Sequence, residues 1–210
     1  KRGEKYLFSF YVNTTGKKRF DVAVVENGKV AAQTILYVKP ADKKASERLH
    51  DGWQKYEAEL VANADTKAAE LRIVTTGKTE ALIDLISLFP QDTFKGRKNG
   101  LRRDLAETIA NLHPKFVRFP GGCMSHGDGL ENIYHWNHTV GPLYERTPDR
   151  NIWHYHQTRG LGFYEYFQFC EDIGAEPLPV LAAGVPCQNS SQNACGFGGQ
   201  QGGIPMEDMP

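Results

Sequence analysis

The chain lacks the features that mark several large classes of protein. Its 210 residues carry 25 basic and 25 acidic side chains, so the formal net charge is zero. Proteins whose main partner is nucleic acid or an anionic membrane have a basic surplus, so we expect neither partner here. No segment approaches the ~20 consecutive apolar residues that a membrane-spanning helix needs.

Cysteine is scarce and has no metal-binding spacing. The four cysteines form no Cys-x-x-Cys pair, so we do not expect a zinc site. Cys170 lies on the apolar face of a predicted helix and is expected in a core. Cys187 and Cys195 flank a polar loop; they could form a disulfide in an oxidising compartment or remain thiols, and the sequence leaves both open.

The loop histidines are weak evidence for a metal. His135, His138, His154 and His156 give His-x-x-His and His-x-His spacings, but no acidic third ligand stands at a clear distance. We interpret them as loop side chains hydrogen-bonded to neighbours, and we predict no metal and no other cofactor.

The first segment, Lys1–Glu4, leads directly into a strand-like run. It has neither an initiating methionine nor the pattern of a signal peptide, and the last residues have no helix or strand pattern. We therefore expect the chain to be part of a longer protein.

Residues 1–90 have the alternation of apolar and polar side chains that is typical of β-strands. Asn27-Gly28, between two such runs, is a strong hairpin signal. Short strands with polar turns and no long helix predict a β-sandwich of jelly-roll type. The predicted strands are Lys5–Asn13, Phe20–Glu26, Lys29–Val38, Trp53–Ala62, Ala68–Thr75 and Ala81–Phe89.

Residues 91–210 change to a helix–strand–helix–strand order. Apolar residues at helical spacing predict helices over about 101–112 and Leu161–Ile173, each followed by a strand, Phe116–Phe119 and then Leu178–Ala183. This order is typical of a (β/α) barrel or a doubly wound sheet. Since a complete barrel needs ~250 residues, we expect part of a barrel.

The strand Phe116–Phe119 carries one arginine and ends abruptly at Pro120-Gly121-Gly122. Proline stops strand pairing, and two glycines let the backbone turn sharply or approach a ligand closely. A cation at the carboxyl end of a strand, beside such a turn, is how α/β enzymes often build a polar ligand pocket.

An ordered series of motifs gives a family resemblance. The motifs are Ile83–Pro90, Arg118–Cys123, Trp136, Val140–Pro142, Arg146, Trp153, Gly160–Tyr166 and Gly174–Pro177. This series resembles the α-L-arabinofuranosidases of glycoside hydrolase family 51, in their plant-like and Bacteroidetes-like branch. The resemblance covers roughly residues 5–189.

The resemblance implies a fold and an activity. The family fold is a (β/α)₈ TIM barrel, here with a carbohydrate-binding-like jelly roll (1–90) before the second and third barrel strands (91–210). The implied activity is retaining hydrolysis of terminal arabinofuranosyl residues from plant polysaccharides or oligosaccharides, without a cofactor. The implied location is secreted or periplasmic, and an oligomer is possible.

The resemblance also implies where the catalysis occurs. Retention needs two carboxyl groups ~5–5.5 Å apart, which in the family are glutamates on later barrel strands, the acid/base preceded by asparagine. Because no Asn-Glu pair follows Asn137, we expect neither catalytic glutamate in this chain. Glu165 is expected to be a surface or interhelical residue, and Glu176 to precede a strand at the amino-terminal face.

Four residues are predicted to contact substrate by the resemblance. Arg118 matches the family arginine at the end of the second barrel strand, where a guanidinium can hold a carboxylate ionised and bind sugar hydroxyls. Gly122 and Cys123 follow it; many bacterial relatives have asparagine in place of the cysteine, which is a poor hydrogen-bond donor. Trp153 matches a tryptophan of the substrate cleft. The alternatives are a structural ion pair for Arg118 and packing for Trp153.

A second hypothesis makes the protein a non-catalytic carbohydrate-binding protein that acts through the jelly roll. Tyr11, Tyr37, Trp53 and Tyr56 could form a sugar-stacking platform, or they could be core and cross-strand pairs. A third hypothesis is a structural brace that binds nothing.

Overall fold

The computed structural model describes residues 1–41, 52–78, 80–98 and 100–187. The chain divides into two compact units, Lys1–Glu107 and Thr108–Pro210. The predicted domain boundary between residues 90 and 91 stays a prediction. None of the described helices has the length and apolar character that crossing a membrane requires.

The first unit contains six β-strands, each within two residues of its predicted ends. They are β1 (Lys5–Thr14), β2 (Lys18–Glu26), β3 (Lys29–Val38), β4 (Trp53–Val61), β5 (Glu70–Thr76) and β6 (Ala81–Pro90). They form two antiparallel sheets of three strands, in the orders β4-β1-β6 and β3-β2-β5. Asn27 and Gly28 both have positive φ angles, 52° and 77°, and close the β2–β3 hairpin as predicted.

The two sheets share one apolar core. Alternate residues of β1 point inward because successive side chains of a strand face opposite sides. Phe10 of β1 packs edge-on against Phe20 of β2, with ring centroids 5.2 Å apart, and so joins the sheets. The buried core residues are Phe8, Phe10, Val12, Phe20, Val22, Ala32, Val38 and Leu60.

The remaining α-helices and β-strands of the described residues are short apart from one helix. They are α1 (Arg103–Ala110), β7 (Phe116–Phe119), α2 (Gly122–His126), β8 (Asp149–Arg150), β9 (His156–Gln157), α3 (Phe163–Ile173) and β10 (Glu176–Pro179). Strands β7 and β10 pair in parallel, with Phe116 opposite Glu176 and Phe119 opposite Pro179. Helix α3 lies in the connection between them, which is the expected βαβ order.

The last strand lies earlier in the sequence than predicted. It was expected over Leu178–Ala183, but β10 begins at Glu176 and ends at Pro179. The register with the four-residue β7 sets these limits, and pairing continues only through the Val180 N–H, which donates to the Phe119 carbonyl at 2.6 Å. Leu178 and Leu181 are exposed, so β10 is not covered on both faces in the described part of the chain.

An aromatic cluster holds α3 against β7. Phe119 is buried and stacks on Tyr166 of α3 at 4.4 Å between ring centroids. Phe163 meets Phe119 edge-on at 5.4 Å, and Cys170 is buried in the same cluster, as predicted. These contacts position the carboxyl end of β7, where the candidate site residues lie.

Candidate functional site

Arg118 lies over the glycine turn at the carboxyl end of β7. A Cβ atom built on Gly121 would be 3.7 Å from Nη1 of Arg118, and one built on Gly122 would be 3.6 Å from Nη2. Gly121 has a φ of 115°, which glycine adopts without strain. Arg118 is exposed, and its guanidinium makes no hydrogen bond or ion pair with any other described residue, so the alternative of a structural ion pair is not seen among the described residues.

Gly122 and Cys123 form the first turn of α2, directly after this glycine turn. The Cys123 thiol is half-buried and hydrogen-bonds to the thiol of Cys187. This hydrogen bond, together with burial, raises the pKa of Cys123. The thiol is therefore directed toward Cys187.

Trp153 lies in the turn between β8 and β9, and 55% of its surface is exposed. The Oδ1 atom of Asn151 accepts the backbone N–H groups of Trp153 at 3.0 Å and Tyr155 at 3.1 Å, which shapes the turn. The hairpin contacts α2 through Gln157, whose Nε2 donates to the Met124 sulfur at 3.4 Å. The turn thus presents the indole ring to solvent.

A polar network around the buried side chains of Asp128 and Arg159, which the sequence did not reveal, connects the β8–β9 hairpin to the loop after α2. Asp128 is buried, and its Oδ2 accepts a hydrogen bond from Nη2 of Arg150 at 3.2 Å. Its backbone N–H donates to Asn132 Oδ1 at 2.9 Å. Asn132 Nδ2 then donates to Asp149 Oδ2 at 3.0 Å, which also accepts from Arg159 at 3.2 Å. No local pattern signals these contacts, because the partners are up to 22 residues apart.

A second missed feature is the bidentate ion pair between Arg146 and Glu165. The Arg146 side chain is 3% exposed; its Nη1 and Nη2 donate to the Glu165 carboxylate at 2.9 and 2.7 Å. Glu165 also accepts the Gly162 N–H at 2.9 Å and so caps α3. The prediction of a surface or interhelical role for Glu165 is wrong, because this carboxylate neutralises a buried guanidinium from a loop. Glu176, predicted to precede the last strand, is its first residue.

The histidines are spread over separate contacts. The rings of His135 and His138 stack with centroids 5.0 Å apart, and burial, more than the charges of His138 and Arg159, lowers the pKa of His135. Nδ1 of His154 lies 2.9 Å from Nη1 of Arg150. Among the described residues, no three His, Cys, Asp or Glu side chains are grouped so that they could hold a metal ion.

Two of the four aromatic residues proposed as a sugar platform line a groove of about 580 Å³ in the first unit. They are Tyr37, whose ring is largely exposed, and Tyr56, whose hydroxyl contacts the Lys39 backbone at 3.0 Å. Tyr11 and Trp53 do not line it. The remaining lining residues are Lys17, Lys18, Arg19, Val38, Lys39 and Thr76.

Comparison with known proteins gives one consistent result. The family model described as "Alpha-L-arabinofuranosidase 1 domain" matches residues 108–199. The extracellular exo-α-L-arabinofuranosidase of Streptomyces chartreusis is 42% identical over 181 residues, covering 79% of this chain and 22% of that protein. α-L-Arabinofuranosidase 1 of Arabidopsis thaliana is 37% identical over 193 residues, covering 91% of this chain and 27% of that protein.

A solved structure gives the same result. The arabinose-bound α-L-arabinofuranosidase MgGH51 superposes with a TM-score of 0.75 and 33% identity, over 90% of this chain and 30% of that one. All of these proteins are glycoside hydrolases by name. The predicted resemblance is confirmed: this chain is similar to parts of family 51 α-L-arabinofuranosidases. It spans about a quarter of the length of the curated relatives it matches.

Proposed function

We propose that the whole protein is a retaining α-L-arabinofuranosidase that removes terminal arabinofuranosyl residues from plant polysaccharides or oligosaccharides. In this proposal residues 1–90 are the carbohydrate-binding-like jelly roll. Residues 91–210 are the early part of the (β/α)₈ barrel, with β7 and β10 as its second and third strands. The observation that carries the proposal is the parallel β7–β10 pair with an exposed Arg118 over a Gly-Gly turn at its carboxyl end, where barrel enzymes place their active sites.

The pocket residues then have distinct roles. Arg118 donates hydrogen bonds to sugar hydroxyls and keeps a neighbouring carboxylate ionised. Gly122 allows the sugar to approach the backbone, since it has no side chain. Trp153 offers its exposed ring to the apolar face of a sugar. Cys123 contributes a weakly polar surface, because its thiol is directed to Cys187.

We further propose that the two catalytic carboxylates are supplied by parts of the protein outside this chain. Glu165 is bound to the Arg146 guanidinium and to the start of α3. Glu176 stands opposite Phe116 at the amino end of β7, away from the end that carries Arg118. Neither is placed to act on a sugar beside Arg118.

The substrate proposal follows the named relatives. An arabinose-bound structure is among the matches, which supports an arabinose-containing oligosaccharide or polysaccharide as the partner. The Streptomyces chartreusis relative is named extracellular, which supports a secreted protein, with the periplasm as the other proposed location. A non-catalytic carbohydrate-binding protein is not favoured, since the matched relatives are named as hydrolases.

The test is hydrolysis of 4-nitrophenyl α-L-arabinofuranoside by the whole protein and its variants. Arg118→Ala is expected to lower kcat/KM by about 100-fold or more, as for removal of a transition-state hydrogen-bond donor, with Arg118→Lys intermediate. Arg102→Ala is the matched control, because Arg102 pairs with Asp104 on the surface. Equal activity of the Arg118 and Arg102 variants would contradict a role for Arg118 in substrate binding. The 210-residue chain alone should show no turnover; measurable turnover by it would contradict the placement of the glutamates.

A further inference from the structure

Two cysteines that are distant in sequence meet beside the carboxyl ends of β7 and β10. Cys123 lies in the first turn of α2, just after β7, and Cys187 lies in the segment that follows β10. The Cys187 side chain is close enough to the Cys123 thiol to raise its pKa, with a hydrogen bond as the largest cause. Cys187 is buried, with 2% of its surface exposed, and Cys123 is half-buried.

The backbone around the two thiols is held in place by contacts along α2. The Cys187 N–H donates to the Gly127 carbonyl at 3.2 Å, and the Gly127 N–H donates to the Cys123 carbonyl at 3.0 Å. Ser125 Oγ donates to the Val180 carbonyl at 2.8 Å, earlier in the segment that carries Cys187. The segment after β10 is thus bound to the helix that carries Cys123, so the backbones of the two cysteines stay close together.

We propose that Cys123 and Cys187 are the two halves of a disulfide that links the loops after β7 and β10. The bond requires the two sulfur atoms to approach to ~2.05 Å. The inference does not depend on the sugar-binding role of the site, because it follows from the hydrogen bonds that hold the segment of Cys187 against the helix of Cys123.

The oxidant is a small disulfide, and the reaction balances as thiol–disulfide exchange. The thiolate of one cysteine attacks a sulfur of oxidised glutathione and forms a mixed disulfide with it. The S–S bond of oxidised glutathione breaks, and one glutathione leaves as a thiolate. The second cysteine thiolate attacks the protein sulfur and releases the other glutathione. Two protein thiols are oxidised and one disulfide is reduced to two thiols, with the protein protons passing to the released thiolates.

This pairing competes with the Cys187–Cys195 disulfide that the sequence suggests, whose second member lies outside the described residues. A Cys123–Cys187 bond has a local consequence that the other pairing lacks. It fixes the first turn of α2 and with it the Gly121-Gly122 backbone under Arg118. Oxidation therefore rigidifies the glycine turn.

The experiment uses the 210-residue chain, incubated with oxidised glutathione in mildly alkaline buffer, alkylated, digested without reduction and analysed by mass spectrometry. The expected product is a peptide pair linked through Cys123 and Cys187, which reductant separates. Cys195→Ser is the matched control and should keep this link, whereas Cys123→Ser should lose it. The Tm of the wild-type chain should rise by roughly 5 °C or more on oxidation.

Three results would overturn the proposal, and each is read on the wild-type chain even if a variant fails to fold. The first is a peptide linked through Cys187 and Cys195. The second is glutathione retained on Cys123 without a cross-link. The third is full alkylation of both Cys123 and Cys187 after the oxidant has been removed.

Discussion

The ion pair between Arg146 and Glu165 gives the sharpest test of the second unit. Replacing Glu165 by alanine leaves a guanidinium that is 3% exposed without its counter-charge. Removing one partner of a buried pair costs about 3–5 kcal/mol. Here we expect a smaller loss, because Arg146 keeps its hydrogen bonds to the carbonyls of Gly141, Arg159 and Gly160. In addition, the Glu165 side chain is 22% exposed, so water can replace part of the lost carboxylate. We expect Glu165→Ala to lower the free energy of unfolding by about 2–4 kcal/mol.

Glu165→Gln separates charge from hydrogen bonding. The amide oxygen can still accept from the Gly162 N–H, so the helix cap remains, but the negative charge is lost. We therefore expect a smaller loss than for alanine, about 1.5–3 kcal/mol, the range for a hydrogen bond to a charged group.

The assay is urea unfolding followed by tryptophan fluorescence in a Trp53→Phe background, which removes the tryptophan of the first unit. Trp136 stacks on Phe163 at the start of α3 and reports on this region. Glu176→Gln is the control, since Glu176 is exposed at the start of β10. Losses below about 0.5 kcal/mol for both Glu165 variants, the range for ordinary surface substitutions, would refute the argument that this pair stabilises the unit.

Two further predictions concern a glycine and a carboxylate. Gly127→Ala should lower the free energy of unfolding in urea by about 3 kcal/mol or more, because an added Cβ would overlap the Asn132 carbonyl. Gly174 has nearly the same φ and open space around it, so Gly174→Ala should lower this free energy by only ~1–2 kcal/mol. Equal losses for the two variants would contradict the predicted overlap at Gly127. The pKa of Glu26 is lowered by two backbone N–H groups of the loop before β5. Its stabilisation is present above the unfolded pKa and is lost as pH falls through the lower folded pKa. The Tm difference between wild type and Glu26→Gln should therefore be largest near neutral pH and shrink below about pH 4. A difference that does not change with pH would exclude the carboxylate as its cause.

Much of the fold could be predicted because its signals are local. Alternation along β1 separates buried Phe8, Phe10 and Val12 from the other face, and Asn27-Gly28 specifies a tight hairpin. The limits of β10 could not be predicted, because they depend on the register with β7, a partner some 60 residues away in the chain. An apolar run such as residues 178–183 is compatible with several registers.

The candidate site shows the same division. Its first part, Arg118 followed by a Gly-Gly turn, is contiguous, so the strand pattern and the family motif both identify it. Trp153 is recognised by motif alone, and its predicted contact with substrate stays a prediction. The ion pair of Glu165 escaped prediction, because helical periodicity places that residue on a helix but says nothing about which loop crosses it.

The sequence by itself determined the strands of the first unit, the helix–strand order of the second, and the resemblance to family 51. Tertiary structure alone decided which charged and sulfur-containing side chains meet: Arg146 with Glu165, and Cys123 with Cys187. The physical reason is that backbone preference and side-chain periodicity are properties of neighbouring residues, whereas burial brings together groups whose pairing depends on the path of the whole chain. A buried charge must find a partner, but only the fold determines which one.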